Sequence, residues 1–206
     1  GTTLANTLRI SFLKLLFGFP APILLVLFLN ELTSMKFMKF VQSVSYIPHF
    51  ISWVVLGGIF LSIDRSSGFQ SAMQGLFGKE VHFFSNNALY VVFLVASDIY
   101  KGMGWGTIIY MAAISAVSPN LYEAATIDGC GRFRMMWSVT LPCIGPIITI
   151  QFLLAMGNIM NAGFDAVFNT YNQQIYDVAD ILDTYIYRTG FADSGDFEMA
   201  TAIGLF

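Results

Sequence analysis

Charge is what this chain has least of. Only 11% of its 206 residues are charged, against 56% hydrophobic and 16% aromatic, whereas soluble globular domains carry about 25% charged and about 45–50% apolar residues. Mean hydropathy is +0.67. A soluble core hiding this excess needs far more chain to cover it, so the deficit excludes an ordinary soluble domain and predicts a membrane-embedded one. The net charge is -3 and no basic block occurs, which excludes nucleic acid as a partner. Cysteine is nearly absent: Cys130 and Cys143 form no C-x-x-C and have no histidine nearby, so metal and redox chemistry are unsupported and no cofactor is expected. Catalytic signatures are missing too. The nearest approach to a P-loop is Gly78-Lys79, followed by Glu80 instead of Ser or Thr, with Met73 where the first glycine belongs. No zincin motif, nucleophile elbow, internal repeat or signal peptide is found. The chain is not expected to be an enzyme, and energy must come from a partner.

What is present is a series of long apolar runs. A transmembrane helix needs roughly 20 mostly apolar residues to cross about 30 Å of hydrocarbon. Spans are predicted at about 10–30, 45–63, 99–118 and 142–163, with a fifth begun at 199–206. The third apolar stretch, 88–118, would reach about 46 Å as one helix. Asp98 and Lys101, three apart and able to pair on one face, are therefore placed at an interface, with 83–97 as a preceding surface or re-entrant helix. Loops 31–45 and 119–141 lie on the same side, since two spans separate them, and carry Lys36, Lys39, Arg132 and Arg134. The other side has Arg65, Lys79 and Arg188 over more residues, beside Asp177, Asp180, Asp183 and Asp193. The bias makes 31–45 and 119–141 cytoplasmic. Gly1 in place of Met, and Phe206 inside an apolar run, predict a chain cut at both ends.

Residues 119–142 read PNLYEAATIDGCGRFRMMWSVTLP: a short helix, a glycine turn, a second helix, and a proline opening the next span. Asn120 and Glu123 stand at capping-box spacing, with Ser118-Pro119 as a competing start. Gly129 and Gly131 permit a left-handed turn, and Ala124 and Ala125 offer a small surface for close packing by another protein. Pro142 is tolerated in a first helical turn.

This segment resembles the EAA loop of binding-protein-dependent ABC importer permeases: Glu-Ala-Ala, three residues, Gly, nine residues, Ile, one residue, Leu-Pro. Here those positions are Glu123, Ala124, Ala125, Gly129, Val139, Leu141 and Pro142, with Val139 departing from the usual Ile. The flanks Gly104-Trp105-Gly106-Thr107, Gly163-Phe164-Asp165, Tyr46-Ile47-Pro48-His49-Phe50 and Asp183-Thr184-Tyr185-Ile186-Tyr187-Arg188 are similar to the carbohydrate branch, and most of all to its LplB-like polysaccharide and oligosaccharide permeases. The resemblance implies an all-α, polytopic transmembrane bundle of the type I ABC importer permease fold. It would be one permease domain over 1–206, truncated at both ends and lacking the family's first helix and most of its last. It implies a multi-pass protein of the bacterial cytoplasmic membrane. Its partners would be lipid, a second homologous permease subunit, an extracytoplasmic solute-binding protein and a dimer of cytoplasmic ATP-binding-cassette ATPases. In such a protein the EAA loop, here with Asp128 beside Gly129, docks in the ATPase, and ATP-driven closure switches the permease between its two openings.

Gln151, Asn158 and Asn161 are the candidate substrate path: the first two share a helix face, with Asn161 one turn on. They read equally as a lining for a hydroxyl-rich solute or as interhelical packing. Gly102 and Gly106 form G-x-x-x-G, read as close helix packing, and His49 and His82 are read as structural. Two other classes compete with the importer. An ion-gradient-driven secondary transporter should show broken helices, intramembrane charges and an internal repeat; a non-transport scaffold would not need the EAA spacing.

Overall fold

The structure is a computed structural model and describes residues 1–78, 80–192 and 195–205, with Phe77 by its backbone alone. Lys79 and Asp193, counted in the charge bias, and Phe206, the end of the fifth predicted span, lie outside the described residues. All regular elements among the described residues are helical. That is the outcome apolar surroundings impose, because a helix pairs its backbone N–H and C=O groups within itself.

In chain order the helices are α1 (Thr2–Gly18), α2 (Pro20–Asn30), α3 (Met35–Phe50), α4 (Trp53–Asp64), α5 (Ser67–Phe77), α6 (Asn87–Ser115), α7 (Pro119–Ile127) and α8 (Arg132–Met135). A π-turn, Met136–Thr140, joins α8 to α9 (Leu141–Cys143); α10 (Gly145–Gly157), α11 (Phe164–Phe168), α12 (Tyr176–Ala179), α13 (Leu182–Tyr187) and α14 (Phe197–Gly204) follow.

The boundaries correct the predicted spans. The first runs Thr2–Asn30, 29 residues, and begins well before residue 10. Phe19 keeps helical dihedrals and donates to the Leu15 carbonyl, so the prolines after it do not end the helix. Among the described residues this run alone is long and apolar enough to cross a membrane, or up to three are if each of two bent pairs counts as one span. The predicted 45–63 span is broken. Its helix begins at Met35, taking in Lys36 and Lys39, and ends at Phe50; a new one starts where the extended Ser52 accepts the Val55 N–H. Pro48, with no N–H to give, weakens the last turn of α3. The predicted break before residue 99 is absent: α6 is unbroken over 29 residues, about 43 Å. The fourth span is not straight, since Arg132–Cys143 and Gly145–Gly157 meet at 64°, where Gly145-Pro146 restarts the helix. It ends at Gly157, short of 163. The fifth begins at Phe197, with Asp196 accepting the Met199 N–H.

The chain forms two compact units, Gly1–Leu13, Ile51–Ser97 and Ile159–Phe206 in one, Lys14–Phe50 and Asp98–Asn158 in the other. The core of the first gathers Ile10, Tyr90, Leu94, Val167, Ile175 and Ile181; the buried Tyr90 hydroxyl is paired with Thr170 Oγ1 at 2.9 Å. In the second, Val26, Leu27, Tyr110 and Ile114 close around Met136 and Ile144, so the segment after α7 is rooted in that core.

Candidate functional site: the 119–142 segment

Helix α7 starts two residues earlier than the capping-box spacing predicts. Ser118 is the extended residue before it and Pro119 its first residue, a position where proline loses nothing because that N–H has no helical partner. Asn120 is therefore inside the helix, and the Asn120–Glu123 box is not formed.

The other end of α7 explains the motif's glycine. Gly129 has φ +75°; its N–H donates to the Thr126 carbonyl and the Cys130 N–H to the Ala125 carbonyl, at 3.0 and 2.9 Å. These crossed bonds are a Schellman closure, in which the left-handed residue after the cap is the one place where a Cβ is penalised. Asp128 is the cap residue. The five residues from Ala125 to Gly129 are thus one helical turn plus its stop. Gly131, by contrast, is extended with φ -72°, so only one of the two glycines makes a left-handed turn.

No residue of α7 is buried. Glu123 and Ala124 are exposed and Ala125 half-buried, while large apolar side chains stand out beside them: Leu121 is 48% exposed, Phe133 70% and Ile127 86%. A nine-residue helix with no buried residue has little packing of its own to hold it. Its tie is polar. Tyr122 Oη meets Thr140 Oγ1 at 3.1 Å, and Thr140 is fully buried in the π-turn.

That turn follows from the motif's final dipeptide. Pro142 has no N–H for the Ser138 carbonyl, and the Leu141 N–H reaches instead to Met136, five residues back; proline and the widened turn go together. Val139 and Leu141 are half-buried and Pro142 is exposed, with Leu141 packed on the unit's core. Burial pushes the Glu31 carboxyl above its ordinary pKa, and the opposing pull of Arg132 places the end of α2 near the start of α8, as the shared side of 31–45 and 119–141 requires.

The three path candidates do not act as one helix face. Gln151 lies on α10, half-buried, with no side-chain hydrogen bond among the described residues. Asn158 caps α10 and donates to the Leu154 carbonyl. Asn161 is past the helix end and accepts the Gly163 N–H, so the helical spacing that joined it to Gln151 does not exist.

The flanking motifs find each other within the second unit. Trp105 stacks on His49, centroids 4.5 Å apart and planes 2° from parallel, with Phe50 edge-on at 5.7 Å. A Cβ on Gly104 would strike the Ser45 carbonyl, and one on Gly106 would lie 2.8 Å from Pro22 Cγ, whereas Gly102 has open space. The packing pair is Gly104 and Gly106, a correction to the Gly102–Gly106 reading. The ion pair is also a different one. Asp98 Oδ1 meets Lys14 Nζ at 3.1 Å, and Lys101 donates to the Pro48 and His49 carbonyls at 3.4 and 2.8 Å. In the first unit, Arg188 holds both oxygens of Asp180, at 3.1 and 3.2 Å, and lies over the Tyr176 and Tyr185 rings. Sequence reasoning missed Tyr122 and Thr140 and gave Lys101 the wrong partner; Thr140 and Lys101 find theirs 18 and about 50 positions away, and only Tyr122, an aromatic inside an otherwise exposed helix, carried a local signal.

Comparison with known proteins agrees along the chain. The family model for the binding-protein-dependent transport system inner membrane component matches residues 12–169. Protein LplB of Bacillus subtilis (strain 168) is 39% identical over 206 residues, covering 98% of this chain and 64% of LplB. The polygalacturonan/rhamnogalacturonan transport system permease protein YteP of the same organism is 42% identical over 205 residues, with the same coverages. This chain therefore spans just under two thirds of the length of these curated relatives. A crystal structure of a bacterial alginate ABC transporter, in complex with an alginate pentasaccharide-bound periplasmic protein, superposes with a TM-score of 0.94 at 37% identity, over 100% of this chain and 72% of the other.

Proposed function

The chain belongs to the binding-protein-dependent transport system inner membrane component family, and from that premise we propose that it is the permease subunit of an ATP-binding-cassette importer for an oligosaccharide. It acts as one transmembrane permease domain of the bacterial cytoplasmic membrane and has no ATPase site of its own. Two cytoplasmic ATPase subunits drive it, a second permease subunit completes the pathway, and an extracytoplasmic binding protein delivers the solute. The saccharide assignment is supported by what the relatives are named for.

The observation that carries this reading is α7, a helix with no buried residue closed by a left-handed glycine and tied by Tyr122 to a turn rooted in the core. Glu123, Ala124 and Ala125 form the docking face, with Leu121 and Ile127 adding apolar contact. Gly129 fixes where the helix stops, Asp128 lies at that stop, and Val139, Leu141 and Pro142 pass the displacement into the membrane helix. A push on α7 reaches α10 because Met136 and Ile144 sit in one core. Gln151 and Asn158 offer amides to a hydroxyl-rich solute.

The test uses the full-length protein in its assembled importer. Glu123→Lys and Gly129→Ala should each weaken ATPase association or uncouple hydrolysis from uptake. Normal transport by both, with an unchanged ATPase complex, removes the reading. Broken helices and a part-buried Lys14–Asp98 pair are features also expected of an ion-driven transporter. Family membership and fold, shared with ABC importers at a TM-score of 0.94, outweigh them.

A further inference from the structure

In the first unit, residues 64–65 and 82–85, before α6, and residues 172–174, after α11, line an open recess of about 470 Å³ that coupling does not use. Its size is within the roughly 300–1,000 Å³ of small-molecule sites. Asp64, Arg65, His82 and the buried Phe84 line it together with Asn172, Gln173 and Gln174. A second recess of about 350 Å³ adjoins it, sharing His82 and Ser85. Two recesses sharing a wall suit a ligand built of consecutive units.

The walls are held by cross-loop hydrogen bonds. The buried Gln70 amide accepts the Val81 N–H at 3.0 Å, and its NH₂ group donates to the Asp64 and Val81 carbonyls at 2.6 and 3.1 Å. Asp64 Oδ1 accepts the Phe83 N–H at 2.9 Å. Asn172 donates to the Phe84 carbonyl at 2.7 Å, and its own oxygen accepts the Gln174 N–H at 2.8 Å. The site is built before a ligand arrives, which lowers the cost of ordering it.

Two carboxylates lie beside one imidazole: Asp64 Oδ2 is 3.8 Å from His82 Nδ1 and Glu80 Oε2 is 3.5 Å from His82 Nε2. Arg65 is left as the cation of the lining with no ion pair among the described residues, and the Gln173 and Gln174 amides likewise have no partner there. An unpaired guanidinium offers forked donors to a carboxylate, and the neutral amides can donate to and accept from hydroxyls.

We propose that this recess is an outer subsite for an acidic oligosaccharide, with Arg65 meeting the carboxylate of one sugar unit and Gln173 and Gln174 its hydroxyls. By the charge bias of the sequence both loops are extracytoplasmic, the side from which solute arrives. The assignment rests on the importer reading and names the chemistry of its solute.

The experiment titrates the assembled importer, held in nanodiscs, with tetragalacturonate and with maltotetraose by calorimetry. Wild type binds tetragalacturonate the tighter. Arg65→Gln weakens tetragalacturonate about tenfold, as expected for one charge-assisted contact, and leaves maltotetraose unchanged. The double variant Gln173→Ala/Gln174→Ala weakens both. All three residues are exposed, so the variants fold. No tetragalacturonate binding by wild type, a preference for maltotetraose, or unchanged affinity in Arg65→Gln overturns the subsite. Those results leave coupling untouched: if Glu123→Lys and Gly129→Ala still uncouple the importer, only the subsite falls.

Discussion

A methyl group on Gly104 would enter the space of the Ser45 carbonyl, and on Gly106 it would press on the Pro22 ring, while at Gly102 it meets nothing within 4 Å. Overpacking of this kind costs about 1–3 kcal/mol. Gly104→Ala should therefore lower the unfolding temperature of the purified complex, and Gly102→Ala should leave it unchanged or raise it slightly. Equal melting of the two variants would show that helices α3 and α6 do not approach closely at Gly104. Lys101 supplies a second residue-scale prediction. The Pro48 and His49 carbonyls lie at the end of α3, where helical donors run out, and Lys101 serves both. Lys101→Met should destabilise by about 1–3 kcal/mol, and Lys101→Arg, which still donates, should recover most of the loss in the same melting experiment. Neither role was legible in the sequence. The Gly102–Gly106 spacing and the Asp98–Lys101 spacing both satisfy local helical rules, and a residue's partner across 50 or 80 positions obeys no local rule.

The turn at Met136–Thr140 gives the element-scale test. Tyr122→Phe and Thr140→Val each remove one end of the hydroxyl pair that ties α7 down, a loss of about 1 kcal/mol. Each should raise hydrogen exchange in 119–128 and, under the proposed importer function, reduce the uptake supported per ATP hydrolysed. The double variant should be no worse than the poorer single one, since the pair is one interaction; additive losses would mean that the two hydroxyls act separately. The helix stop at Gly129 could be read from sequence because a Schellman closure depends on neighbours alone. The break between α3 and α4 could not. Apolar character is continuous across it, and a span test by composition sees length without direction.

On the scale of the whole molecule, the outward side chains are those of a protein in lipid. Phe12, Phe17, Leu153 and Leu154 are each more than half exposed, a pattern whose cost in water grows by about 25 cal/mol per Å². Alkaline carbonate washing of membranes containing the full-length protein should leave it in the pellet, and release into the supernatant would contradict membrane integration. Each compact unit is assembled from segments far apart in the chain, so deleting 1–13 should damage the unit that holds Ile10 in its core, with loss of the Tyr90-centred packing read by limited proteolysis.

Membrane residence, the all-helical class and the helix stop at Gly129 were determined by sequence alone. They rest on composition and on spacings within 20 residues, which act through solvation and through neighbouring hydrogen bonds. Tertiary structure alone decided that Asp98 pairs with Lys14, 84 positions away, that Lys101 closes the end of α3, and that Tyr122 finds Thr140. It also decided that Gln151, Asn158 and Asn161 share no helix face. A charge or hydroxyl in a low-dielectric interior must find a partner, but which one it finds depends on the packing that brings distant segments together.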